Sequence, residues 1–232
     1  MTSESEAGAS DPELARRLQI LSTEHWGLLA ARSTAQSEVL SRISIHLTLV
    51  SAGLVTIGLL GQASGFASWF PVAAISILGF IAAVGLLTLM RVLVVAEEDL
   101  MYVLAMNRIR AGYQRLDPTA AELFLASVHD DELGMTVTYS FLRRRGSLEQ
   151  VLGSSAMLST LVNGTVTGMF FGGLSAFLGA PQPGSVAIGL SSGLAVVAAA
   201  VAYGGYRFVS VWRTYPPLNP SAGPPAQWRM PA

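Results

Sequence analysis

The chain has 232 residues, 51% of them hydrophobic and only 12% charged, with a formal net charge of −1. An ordinary soluble domain carries about 25% charged residues. Cysteine is absent, which excludes disulfides, thiolate metal sites and cysteine nucleophiles. The near-neutral charge gives no electrostatic footprint for nucleic acid.

Residues 43–90 and 150–206 contain no Asp, Glu, Lys or Arg. A membrane-crossing helix needs about 20 apolar residues, so each stretch has room for two helices and a turn. The expected fold class is all-α: a polytopic membrane protein with four transmembrane helices and long cytoplasmic helical extensions. The lipid bilayer is then its first partner.

In chain order, residues 1–10 are acidic and polar, lack the features of a signal peptide, and are expected to be disordered. Asp11-Pro12 reads as a helix N-cap followed by proline at the first helical position. Leu14, Leu18, Leu21, His25 and Leu28 recur at helical spacing. A juxtamembrane helix over 11–42 is expected either to run on into the first transmembrane hairpin, 43–90, as one long helix, the favoured reading, or to lie at the interface as an amphipathic helix that bends near Gly27 or Ser41. "GQASGFASWFP" from Gly61 to Pro71 is the hairpin turn. The second span has no proline after its start until Asp117-Pro118, which predicts one helix from about Trp69 to Leu116, ~70 Å long.

Residues 91–150 are expected to form a cytoplasmic helical segment, with a further helix at 118–128 and a turn or helix start at "HDDELG", His129 to Gly134. Arg143, Arg144 and Arg145 fall where lipid phosphates would be. The second hairpin, 151–206, is broken by "GAPQPGS", Gly179 to Ser185, with its turn placed near Gln182. The tail, 207–232, holds six of the chain's 11 prolines and is expected to be extended or disordered. All 14 basic residues are Arg and lie outside both uncharged stretches. The positive-inside rule therefore places both termini and the central segment in the cytoplasm.

Gly164, Gly168, Gly172 and Ala176 form a small-residue stripe on the third span; Ser185, Gly189 and Gly193 form another on the fourth. In lipid, helices gain from close backbone approach. Counting from Gln182 sets Gly172 against Gly193 and Ala176 against Gly189, within one hairpin. Ser155, Ser159 and Asn163 on the third span, and Ser44, Thr48 and Ser51 on the first, are candidate pore-lining stripes; interhelical hydrogen bonding is the blander account. His46 is expected to reach the headgroups. Glu97, Glu98 and Asp99, with Arg108 or Arg110 of the same helix, of a neighbouring helix or of another subunit as partners, are candidate assembly contacts in the cytoplasm, together with Asp130 and Asp131. No phosphate loop, nucleophile–base set, metal cluster or cofactor fingerprint is present, so neither an enzyme nor a cofactor is expected.

At "LLAARSTAQSEVLSRISIHLTLVSAGLV", "MNRIRAGYQRLDP" and "VHDDE", from Leu28 to Tyr139, the chain resembles an uncharacterised family of four-span membrane proteins of high-G+C bacteria. The resemblance implies a bacterial inner (plasma) membrane location and carries no activity. More loosely, two spans with long cytoplasmic extensions are similar to small effector proteins of bacterial conflict systems, suspected pore formers. Two functions are thus expected as alternatives. One is a homo-oligomeric channel gated by its cytoplasmic bundle. The other is a membrane anchor that recruits a cytoplasmic partner.

Overall fold

The computed structural model describes residues 11–140 and 153–223. The expectations for residues 1–10, for Arg143–Arg145, for the first two positions of the third span and for the last nine residues lie outside these. Among the described residues all regular structure is helical: α1 (Asp11–Ser64), α2 (Phe70–Leu116), α3 (Pro118–Ala121), α4 (Glu132–Tyr139), α5 (Ser155–Phe177) and α6 (Gln182–Thr214).

α1 is one unbroken helix of 54 residues with Asp11 and Glu13 in its first turn, where acids oppose the macrodipole. α2 runs unbroken for 47 residues and stops where Pro118 bars helical geometry at Asp117. The Asp117 carboxylate then caps α3, accepting from the Thr119 and Ala120 amides. The expected helix at 118–128 ends at Ala121 instead. Tertiary hydrogen bonds take over from the helical ladder there. The Ser127 amide donates to Thr138 Oγ1 at 3.1 Å, and the Asn107 side chain holds the His129 carbonyl at 2.8 Å.

Three helices, α1, α2 and α6, are long and apolar enough to cross a membrane. α5 has 23 residues and no charge but is not among them, because Ser, Thr, Asn and Gly take up much of its length.

The chain divides into two compact units. The first draws on the chain up to Thr34, Glu98–Gly146 and the chain from Phe208 onward. Its core is Leu100, Val103, Leu104, Met106, Met135 and Val211, with Leu28 and Trp212 packed against it. The second comprises Ala35–Glu97 and Ser147–Arg207. Its core joins Leu78, Ile81 and Ala82 of α2 to Val166 of α5, flanked by Val50, Ile57 and Phe170. The α1 residues Ala35, Val39, Ile43, His46, Gly53 and Gly61 are buried, one stripe at helical spacing. Gly53 admits α2 closely: a Cβ there would lie 2.2 Å from Ile81 Cδ1.

The α5–α6 hairpin packs on its glycines, about two turns away from the expected register. A Cβ on Gly164 would meet the Gly193 carbonyl at 3.0 Å, and one on Gly168 the Gly189 carbonyl at 2.7 Å. Gly172 faces Ser185 and Gly189 rather than Gly193, and Ala176 is exposed. The turn lies at Leu178–Pro181, ahead of Gln182, with Gly179 at φ +90°. Pro183 and Gly184, which read as the turn, are in the first turn of α6, where a missing N–H leaves no hydrogen bond unmade.

Candidate functional site

The two candidate pore-lining stripes separate in the structure. Ser44, Thr48 and Ser51 are exposed, each hydroxyl donating to the carbonyl four residues earlier at 2.9 Å. On α5, Ser155 is exposed, but Ser159 and Asn163 are 2% and 0% exposed. Those two line the interior of the chain and cannot also face an axis between copies.

A polar centre forms around Asn163. His46 of α1, expected at the headgroups, is instead 1% exposed. It is buried because Gly85 of α2 opens a gap: a Cβ on Gly85 would lie 2.2 Å from Asn163 Oδ1 and 2.5 Å from His46 Nε2. Three helices thus meet at one polar spot within the second unit. His46 Nε2, Asn163 Oδ1, Ser159 Oγ and Thr167 Oγ1 are all buried without a hydrogen-bond partner. Such groups are rare in folded proteins, and each calls for an explanation. Sequence periodicity placed Ser159 and Asn163 on one stripe. It could not bring His46 or Gly85 to them, because that contact is set by packing between distant segments.

The candidate assembly charges are spent within the chain. Arg32 Nε donates to Asp99 Oδ1 at 2.6 Å, and the Tyr139 hydroxyl to Asp99 Oδ2 at 2.6 Å. Arg207 Nε donates to Glu97 at 2.6 Å, and Arg91 joins Glu38 at 2.9 Å. Glu98 is half-buried. Arg108 and Arg110 are more than a helical turn from the 97–99 acids, too far for i,i+4 pairing. Arg110 bonds to the Asn107 amide oxygen at 2.8 Å.

Arg108 pairs with Asp130 at 2.7 Å, and Asp130 opens a second centre in the first unit. The Asp130 carboxylate, 0% exposed, also accepts the amides of Leu218 at 2.9 Å and Asn219 at 2.7 Å. Asp131 caps α4 through the Gly134 amide and accepts both the amide and the hydroxyl of Ser221 at 2.8 Å. Arg108 reaches the Pro216 carbonyl at 3.0 Å, and Asn219 bonds to the Val128 carbonyl at 3.1 Å. The proline-rich segment 216–221 is therefore fastened down as a strap. Burial pushes both carboxyls up, but the amides of Leu218 and Asn219 with Arg108 outweigh it at Asp130, and those of Gly134 and Ser221 at Asp131. Both end below their ordinary values.

Among the described residues no cluster of His and carboxylates could hold a metal ion. Compared with protein-family models, curated proteins and solved structures, the chain matches none.

Proposed function

We propose that this is a four-span protein of the bacterial inner membrane, with both termini and the first unit in the cytoplasm, which assembles with copies of itself into a channel-like complex. The observation that carries the reading is the outward hydroxyl stripe of α1. Ser44, Thr48 and Ser51 are exposed on a helix apolar enough to cross a membrane. Polar side chains at membrane depth usually face protein or a water-filled cavity rather than lipid. A second copy laid on this face would cover the stripe, and a closed ring would turn it toward an axis. The placement of arginines outside both uncharged stretches supports the orientation.

A membrane anchor for a cytoplasmic partner is favoured by a different observation. In the first unit Ile20, Trp26, Leu123 and Leu125 are 60–81% exposed, which suits capture of an apolar face. The tail is less suited to recruitment, since residues 216–221 are already engaged.

The test is a Thr48→Cys variant, which carries the chain's one thiol. Oxidation in native membranes should give a cross-linked dimer, and the detergent-solubilised particle should exceed the 24.4 kDa of one chain. Reconstituted vesicles should pass small solutes. A monomeric, non-conducting particle that co-purifies with a cytoplasmic protein would replace the channel reading with the anchor.

A further inference from the structure

In the second unit an open groove of about 810 Å³ runs along the glycine seam of the α5–α6 hairpin. Gly168 and Gly189 lie at its floor, where the two backbones already touch and no side chain stands. Leu161 and Met169 of α5 rim one side, Leu190 and Leu194 of α6 the other, and all four are exposed. Leu78 of α2 also lines it.

The lining suits hydrocarbon. It has no ionisable side chain. Thr165 and Ser185 are its two hydroxyls, and both protons are spent inside the hairpin, on the Leu161 and Ala180 carbonyls at 2.9 and 3.3 Å. Gln182, the remaining polar side chain, stands at one end, at the start of α6. A held water needs about two to four polar partners, and the length of the groove does not offer them.

A second helix fits the groove poorly. In lipid, helices associate by close backbone approach through small residues. Here the small residues are used on each other: a Cβ on Gly168 would meet the Gly189 carbonyl at 2.7 Å. What faces outward is leucine and methionine. A helix resting on those rims would leave the floor as a void, and the lining of a void loses its contacts. A slender, flexible chain reaches the floor. Continuity points the same way. Leu190 and Leu194 belong to α6, which is long and apolar enough to cross a membrane and has only 11% of its apolar window buried. The groove is an indentation in that same surface. From Gln182 to Val197 it runs about 22 Å at 1.5 Å per residue, against about 15 Å for the hydrocarbon of one leaflet.

We propose that this groove binds one acyl chain of a phospholipid, with the headgroup at the Gln182 end. The leaflet rests on the four-span reading, which puts that end outside and takes the lipid from the outer leaflet. The site reads the chain and not the headgroup, since no charge lines it. The bound chain covers a seam that the glycines leave bare.

The test is photo-cross-linking of the full chain in phosphatidylethanolamine vesicles, doped with a phosphatidylethanolamine that carries a diazirine in mid-chain. Adducts mapped by mass spectrometry should concentrate on Leu190 and Leu194 over Phe80 of α2, which is about as exposed. Ala176→Trp, which fills the groove from an exposed position, should lose that excess. Should Ala176→Trp not fold, Thr165→Phe should lose it instead. Exchanging both lipids for phosphatidylglycerol should leave the pattern unchanged. Even labelling of Leu190, Leu194 and Phe80, a pattern that follows the headgroup, or a disulfide between copies at Leu190→Cys would each overturn the proposal. Adducts in the groove, with Gln182→Cys closed to an impermeant thiol reagent outside the cell, would keep the acyl chain and overturn the four crossings. An open Gln182→Cys without the adducts would overturn the groove alone.

Discussion

Gly168 has no room for a methyl group, and Gly27 has all the room it needs. A Cβ at Gly168 would sit 2.7 Å from the Gly189 carbonyl, which is backbone and cannot step aside; at Gly27 nothing lies within 4 Å. Gly168→Ala should therefore destabilise by about 1–3 kcal/mol through overpacking. Gly27→Ala should stabilise by about 1 kcal/mol through helix propensity. Thermal unfolding of the two variants in one detergent, followed by circular dichroism, checks both signs. A residue-scale electrostatic prediction sits in the first unit. Burial first, then the Arg110 charge, hold the His25 ring below its ordinary value. A folded-state value that is lowered leaves stability complete above the unfolded value and removes it as pH falls below. Arg110→Gln should raise the His25 titration midpoint without restoring it fully, since burial remains. An NMR titration of His25 reads the change directly, and an unmoved midpoint would show that the two groups do not interact.

At the scale of elements, the strap tests whether residues 216–221 belong to the fold. Asp130 and Asp131 titrate below their ordinary 3.8 in the folded chain. The stability they lend is then fully present above that value and is lost as pH falls through the lowered one. The strap should stay fastened at neutral and mildly acidic pH and release only in strong acid. Asp130→Asn should free it at neutral pH, costing about 3 kcal/mol because Arg108 loses its buried partner. Rapid proteolytic loss of the chain after Thr214 in the variant, with the wild type resistant, is the expected outcome. The strap was not legible in the sequence, because a proline-rich run reads as a linker by composition. Most of its anchors are backbone groups, the amides of Leu218, Asn219 and Ser221 and the carbonyl of Pro216, which carry no side-chain signature. The α5–α6 register was missed for a local reason, Pro183-Gly184 serving as a helix start rather than a turn. What was legible rested on long-range pattern. The continuity of α2 followed from its lack of proline, its end from Asp117-Pro118, and the glycine-to-glycine hairpin from spacing by four.

At the scale of the whole molecule, most of each membrane-length apolar stretch, in α1, α2 and α6, is not buried within one chain. Only 17% of the apolar window of α1 and 11% of that of α6 are buried, against 33% for α2. Exposed apolar area of this extent needs lipid or further copies to cover it. The number of crossings turns on α5. At 1.5 Å per residue its 23 residues reach about 35 Å, enough for a hydrocarbon core of about 30 Å. Most of its polar load lies on the protected side: Ser159, Thr160, Asn163 and Thr167 are buried, while Leu158, Leu161, Met169 and Phe171 are exposed; of the exposed polar residues Ser155 and Thr165, the Thr165 hydroxyl donates to the Leu161 carbonyl. A helix with its polar groups inside and its apolar groups outside can cross lipid with a low average apolarity. The cysteine-free sequence makes a clean test. Single variants Thr34→Cys, Ser68→Cys, Thr119→Cys, Gln182→Cys and Ala222→Cys are treated with a membrane-impermeant thiol reagent on intact cells. Four crossings predict labelling of Ser68→Cys and Gln182→Cys from outside, and of the other three only after permeabilisation. Three crossings, with α5 held on the cytoplasmic side, would protect Gln182→Cys and expose Ala222→Cys. The strap would then lie across the membrane from the His129–Asp131 loop it is fastened to. That pairing makes Ala222→Cys the deciding position.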